Sequence, residues 1–233
     1  MKETKKLLLF DIDGTLLISG GAGNRALNRA LQRQYGILRA MESIIPDGKT
    51  DPAIIREIFQ KNLQREPNIE EIENLCRMYL DYLQEEIQIS SGYRLLPGVF
   101  PLLERAEKRS DLLMGLLTGN LERGAELKLG RSQLNRFFLF GGFGSDSEDR
   151  GEIAKMAVLR GREYAQEQIP LNRIFVIGDT VFDIQCARTV GAKALAVATG
   201  STSFEELCFH GPDYLMEDFL DLKGFWEVIS EIR

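Results

Sequence analysis

The segment Lys6–Phe10 is apolar from Leu7 onward and runs directly into Asp11-Ile12-Asp13-Gly14-Thr15. A continuous apolar run of this length, ended by glycine, reads as a strand buried on both faces, and so as part of a parallel sheet covered by helices. Similar runs recur at 112–117, 137–140, 173–177 and 194–198, and a last one lies near 214–216. Between them, apolar residues three and four apart predict helices near 97–109, 121–131, 151–167, 181–190 and 218–232, the last burying Phe225 and Trp226. Strand and helix in alternation imply βαβ units and a doubly wound α/β fold.

Residues 16–92 break this rhythm. They contain no strand pattern but three helical ones, near 24–35, 52–62 and 69–87, the last with Ile69, Ile72, Leu75, Cys76, Tyr79, Leu80, Leu83 and Ile87 on one stripe. Both flanks are rich in glycine and serine, at 19–23 and 90–92, which reads as flexible connection. The expected organisation is a parallel-sheet core over 1–17 and 93–233, with an α-helical cap over 18–92 inserted after the first strand. A hinged insertion there can act as a lid over a site at the strand ends.

The charge balance narrows the partners. The net charge of −6 argues against a broad nucleic-acid surface, which needs clustered Lys and Arg, but leaves room for a small anionic substrate at a local cationic site. The run at 7–10 is too short for a membrane span or a signal segment. Cys76, Cys186 and Cys208 form no CxxC pair and no disulfide framework, as in a protein of the reducing cytoplasm. His210, near a turn, is the only histidine, which disfavours a His-rich metal site and a Ser-His-Asp triad.

Three predicted strands end in residues suited to chemistry. Asp11 and Asp13 follow the first, at the strand ends where open α/β sheets bind ligands, and Gly14 permits a sharp exit. Asp179 and Asp183 follow the strand at 174–177 in Gly178-Asp179-Thr180-Val181-Phe182-Asp183, at a spacing that puts both on one side of a starting helix. Thr118-Gly119-Asn120 follows the strand at 112–117 and offers a hydroxyl and backbone N–H groups to a phosphate oxygen. Each alone could be a turn or a helix cap. Three in this order are hard to ascribe to unrelated turns.

Together these residues resemble the haloacid dehalogenase-like hydrolase superfamily, in its phosphatase branch, over the whole chain. Asp11–Thr15 resembles the first motif, Thr118 the second and 178–183 the fourth, while the helical insertion resembles the small α-helical cap of the phosphoglycolate phosphatase group. The sequence departs at the third motif, where a lysine is usual: Arg150 stands nearby in Glu148-Asp149-Arg150-Gly151, with Lys155 as the other candidate. An arginine can also hold phosphate, and does so bidentately.

The resemblance implies Mg²⁺-dependent hydrolysis of a small phosphorylated metabolite, phosphoglycolate-like, through an aspartyl-phosphate. Asp11 would be the nucleophile, Asp13 the general acid and base, and Thr118 and Arg150 the holders of the phosphoryl group. Asp11, the Asp13 carbonyl and Asp179 would bind the metal, with Asp183 holding waters or Arg150. Gly119, Asn120 and Lys49 would meet substrate, Lys49 from the cap loop 46–51, with Arg25 a further cap cation. A sugar phosphomutase would use the same motifs, and a non-catalytic binding protein is a third reading. No nucleic acid or membrane partner is expected, and the sequence assigns no oligomeric state.

Overall fold

The computed structural model describes residues 4–231. Six parallel strands form one sheet: β1 (Lys6–Phe10), β4 (Leu112–Leu117), β5 (Gly141–Gly142), β6 (Ile174–Gly178), β7 (Lys193–Val197) and β8 (Tyr214–Met216). Their order is β5-β4-β1-β6-β7-β8, so β1 lies between β4 and β6, with Phe10 in register with Leu116 on one side and Ile177 on the other. That register brings the segments after three strands to one edge of the sheet, which is what places the site.

All five residues of β1 are buried, as a central strand covered on both faces requires. Leu8 and Phe10 join the layer formed by α4 (Val99–Glu107), α5 (Glu122–Gly130) and α9 (Leu222–Glu231), where Phe225 and Trp226 are buried. Leu7 and Leu9 face the other layer, built from α6 (Arg150–Ala165) and α7 (Val181–Val190). The chain is thus an α/β fold with helices on both faces of a parallel sheet.

Between β1 and β4 lie α1 (Ala22–Tyr35), α2 (Asp51–Leu63) and α3 (Ile69–Ile89). They bury a cluster of their own, with Leu31, Ile55, Phe59, Leu75 and Leu83 at or near zero exposure. Thr50 caps α2 through the Ala53 N–H, and Asn68 with Glu71 forms a capping box on α3. Glu86 is buried among apolar neighbours because Arg25 and Arg29 of α1 donate to it at 2.7 and 3.0 Å.

Three local expectations change. Residues 17–19 and 93–95, without a strand signal, pair as a short antiparallel ribbon, β2 (Leu17–Ser19) and β3 (Tyr93–Leu95), at the two crossings into the helical insertion. The strand expected at 137–140 is displaced to Gly141–Gly142: Phe137 ends a 3₁₀ turn over Leu134–Phe137, and Gly142 admits α6, since a Cβ there would lie 2.3 Å from the Ile153 carbonyl. Finally, α8 (Phe204–Phe209) was not expected, although Ser203 caps it through the Glu206 N–H in a Ser-x-x-Glu signature.

Candidate active site

The strand ends and the helical insertion enclose a cavity of about 480 Å³, lined by Asp11, Asp13, Thr118, Arg150 and Asp179 among others. Gly14, at φ +85°, turns the chain out of β1 against Asp179, and a Cβ there would lie 2.4 Å from Asp179 Oδ2. Thr15 donates to the other oxygen, Oδ1, at 2.8 Å. Gly200, in the loop after β7, is as close: its Cβ would fall 1.7 Å from Asp179 Oδ2. Asp179 is therefore walled in by backbone on two sides and fixed by a hydroxyl.

Asp11, Asp179 and Asp183 are buried, each with a carboxylate oxygen within 4.8 Å of the others'. Burial, then the charge of Asp183, opposed by Arg150, pushes Asp11 up to about 7. Asp179 is raised well above the usual carboxylate range by burial and by Asp11 and Asp183. An all-oxygen, partly uncompensated cluster of this kind is chemically suited to a hard divalent cation.

Asp183 accepts from the Thr180 N–H and hydroxyl and from Arg150 Nη2. Arg150 sits at the start of α6, and its buried Nε has no hydrogen-bond partner among the described residues. Lys155, the other third-motif candidate, is exposed and paired with Glu152 at 2.7 Å. Position therefore favours Arg150.

Asp13 has a contrasting environment. Burial alone would raise its pKa, but the Lys128 ammonium, 2.5 Å from Oδ2, together with hydrogen bonds from Asn120 and Ser19, outweighs this and holds it below the ordinary value. Asn120 also donates to Oδ2, at 3.0 Å, and to Thr118 Oγ1, at 2.7 Å. Asn120 is thus joined directly to Asp13, and Thr118 is joined to it through Asn120. Gly119 serves another purpose: its missing side chain admits the cap loop, as a Cβ would lie 2.1 Å from the Lys49 carbonyl.

Of the expected cap cations, Lys49 lines the cavity but pairs with Glu57 at 2.5 Å. Arg25 is committed to Glu86 and the Gly20 carbonyl. Sequence reasoning missed Lys128 and Asp51. Lys128 shares the buried stripe of α5 with Ala125 and Leu129, so a lysine on an apolar face was the available signal. Asp51, raised to about 6 chiefly by burial, accepts from the Leu121 N–H at 2.8 Å and so ties α2 to the segment after β4.

Comparison with known proteins places the chain in a family. The family model for haloacid dehalogenase-like hydrolases matches residues 8–197. The chain belongs to that family. It is 27% identical to a phosphoglycolate phosphatase of Synechococcus elongatus over 221 residues, 92% of this chain and 94% of that protein. It is 28% identical to an N-acetylmuramic acid 6-phosphate phosphatase of Pseudomonas aeruginosa over 218 residues, 91% and 90% of the two chains. Among solved structures, CbbY from Rhodobacter sphaeroides in complex with phosphate superimposes with a TM-score of 0.73 at 18% identity, covering 94% of this chain and 96% of that one. With the family shown, the protein is an enzyme of its phosphatase branch. No described helix is long and apolar enough to cross a membrane.

Proposed function

We propose that this enzyme hydrolyses the phosphate monoester of a small metabolite, phosphoglycolate-like in class, through an aspartyl-phosphate and with Mg²⁺. The observation that carries the reading is the convergence of Asp11, Asp13, Thr118 and Asp179 from three strand ends, and of Arg150 from the start of α6, on one cavity. Asp11, the Asp13 backbone carbonyl and Asp179 would hold the ion, with Asp183 behind them. Bound there, Mg²⁺ would supply charge neutralisation and orientation of the phosphoryl group.

Asp11 attacks phosphorus in line; a bond forms from its carboxylate oxygen while the ester P–O bond breaks, its electron pair going to the leaving oxygen. Asp13 gives that oxygen a proton, then takes one from the water that attacks phosphorus and releases phosphate from Asp11. Thr118 and the unpartnered Arg150 Nε would hold phosphoryl oxygens as charge redistributes. The helices over 18–92 would act as a lid whose Leu27, Met41, Ile54 and Tyr79 line the leaving-group side. The three cysteines are unpaired, which supports a reducing, cytoplasmic setting.

The test is phosphate release from a panel of metabolite monophosphates, with Mg²⁺ and with chelator. Sustained, Mg²⁺-dependent release is expected, and Asp11→Asn should reduce it to background. Metal-dependent release surviving in Asp11→Asn would remove the nucleophile assignment, and a phosphoryl group passed to a second hydroxyl in place of water would favour a mutase.

A further inference from the structure

Lys128 is a buried cation in a position that packing alone would fill with an aliphatic residue. It lies on the inward stripe of α5 with Ala125 and Leu129, and its side chain is 6% exposed. Desolvating an ammonium is costly unless partners compensate. Here they do: Lys128 Nζ donates to Asp13 Oδ2 and to Asn120 Oδ1, each at 2.5 Å, and Asp51 adds its charge.

The network has a direction. Lys128 and Asn120 both donate to the same carboxylate oxygen of Asp13, Oδ2. Asn120 is itself fixed, because its amide accepts from Lys128 and donates to Thr118 Oγ1. Asp13 and Lys128 both line the cavity, but the Asp13 side chain is 38% exposed and that of Lys128 only 6%, with its ammonium turned onto Asp13 and Asn120. Asp51, anchored to the Leu121 N–H, brings α2 to the same cluster.

We propose that Lys128 is the positioning residue for Asp13. By fixing Oδ2 together with Asn120, it presents Oδ1 to the leaving oxygen, acting through Asp13 and not on substrate. This rests on the phosphatase reading above. A rotating carboxylate would lose the alignment on which proton transfer to the leaving group depends, and positioned acids of this kind contribute about 10²–10⁴-fold.

The proposal separates substrates by their need for an acid. An alkoxide leaves poorly unless protonated, whereas p-nitrophenolate is stable enough to leave without a proton. Lys128→Met keeps the unbranched stem and removes the charge. The reading is kcat/KM, which reports the steps up to expulsion of the leaving group, for p-nitrophenyl phosphate and for the alkyl phosphate the wild type hydrolyses fastest.

The expected result is a loss of about 10²-fold on the alkyl phosphate and a change within about 3-fold on p-nitrophenyl phosphate, the second also reporting a folded site. If Lys128→Met does not fold, Lys128→Met combined with Asp51→Asn removes opposite charges together and is read in the same way. Equal losses on both substrates, or an undiminished alkyl kcat/KM, overturn the positioning role. A wild-type protein that releases phosphate from neither substrate overturns the function as well.

Discussion

Asp11 and Asp13 are separated by the single residue Ile12, and their proton affinities are shifted in opposite directions. Burial beside Asp183 lifts Asp11 to about 7, while Lys128 holds Asp13 below the ordinary value. These directions belong to the protein without a metal ion, and a divalent cation beside Asp11 would favour the ionised form that the proposed nucleophile needs. The shifts depend on distant residues, and so do the restraints on the site. Gly200→Ala would drive a methyl into Asp179 Oδ2, 1.7 Å from the Cβ position. The expected outcome is at least a tenfold rise in the Mg²⁺ concentration giving half-maximal activity; an unchanged requirement would mean that the loop yields.

A second outcome concerns Asp51, raised to about 6 chiefly by burial. Between the ordinary aspartate value and about 6, the folded state holds a proton that the unfolded state releases, so this group's contribution to stability falls as pH rises. Asp51→Asn can keep the bond from Leu121 and has no charge to bury. Its Tm relative to wild type should therefore rise between pH 4 and pH 7, and a flat or falling difference would count against the assigned environment. The aspartates were legible because Asp11–Thr15 and 178–183 are local patterns beside buried strands. Lys128 was not, because its partner is 115 positions away in sequence, and nothing near Lys128 marks its charge as functional.

At the scale of elements, the long periodic segments were readable, and of the short strands only β8 was anticipated. β1, β4 and the helices of the insertion repeat their pattern often enough to show it, whereas β2 and β3 have three residues each and β5 has two. Those short pieces matter: the ribbon joins the insertion to the sheet. On the far side of the cavity, Gly48 of the cap loop lies against Phe182 of α7, with φ +71° and a Cβ position 2.0 Å from the ring. Gly48→Ala must adopt a left-handed conformation costing about 1–2 kcal/mol and also move the ring. It should raise KM several-fold while leaving kcat within about twofold. By contrast, Arg56 pairs with Glu148 between α2 and the core at 2.8 Å, with side chains 37% and 38% exposed. Such exposed pairs contribute about 0–1 kcal/mol, so Arg56→Ala should leave KM within about twofold. A KM for Arg56→Ala as high as that for Gly48→Ala would make the ion pair, and not the loop contact, the determinant of how the helical insertion meets the core.

For the whole molecule, the net charge of −6 is unevenly placed. The sequence suggested four carboxylates facing Arg150; the cavity lining also carries Asp47 and Asp51 against Lys49, Arg94 and Lys128. The acid excess of the cavity is therefore smaller than the four carboxylates alone imply. Within it, Asp11 and Asp179 have raised proton affinities, so the fold tolerates the cluster partly by taking up protons where a cation would serve. A ligand that binds only the folded state stabilises by about 2.7 kcal/mol at a hundredfold excess over its Kd. For a chain of 233 residues that corresponds to a Tm increase of roughly 5–10 °C. Mg²⁺ should produce it in the wild type, and chelator should abolish it. Asp179→Asn should lose the response while melting no lower than the metal-free wild type, because it removes one charge from a group of like charges. Equal Mg²⁺ shifts in the variant and the wild type would place the ion elsewhere, and a variant that melted far below the metal-free protein would show that Asp179 is needed by the fold itself.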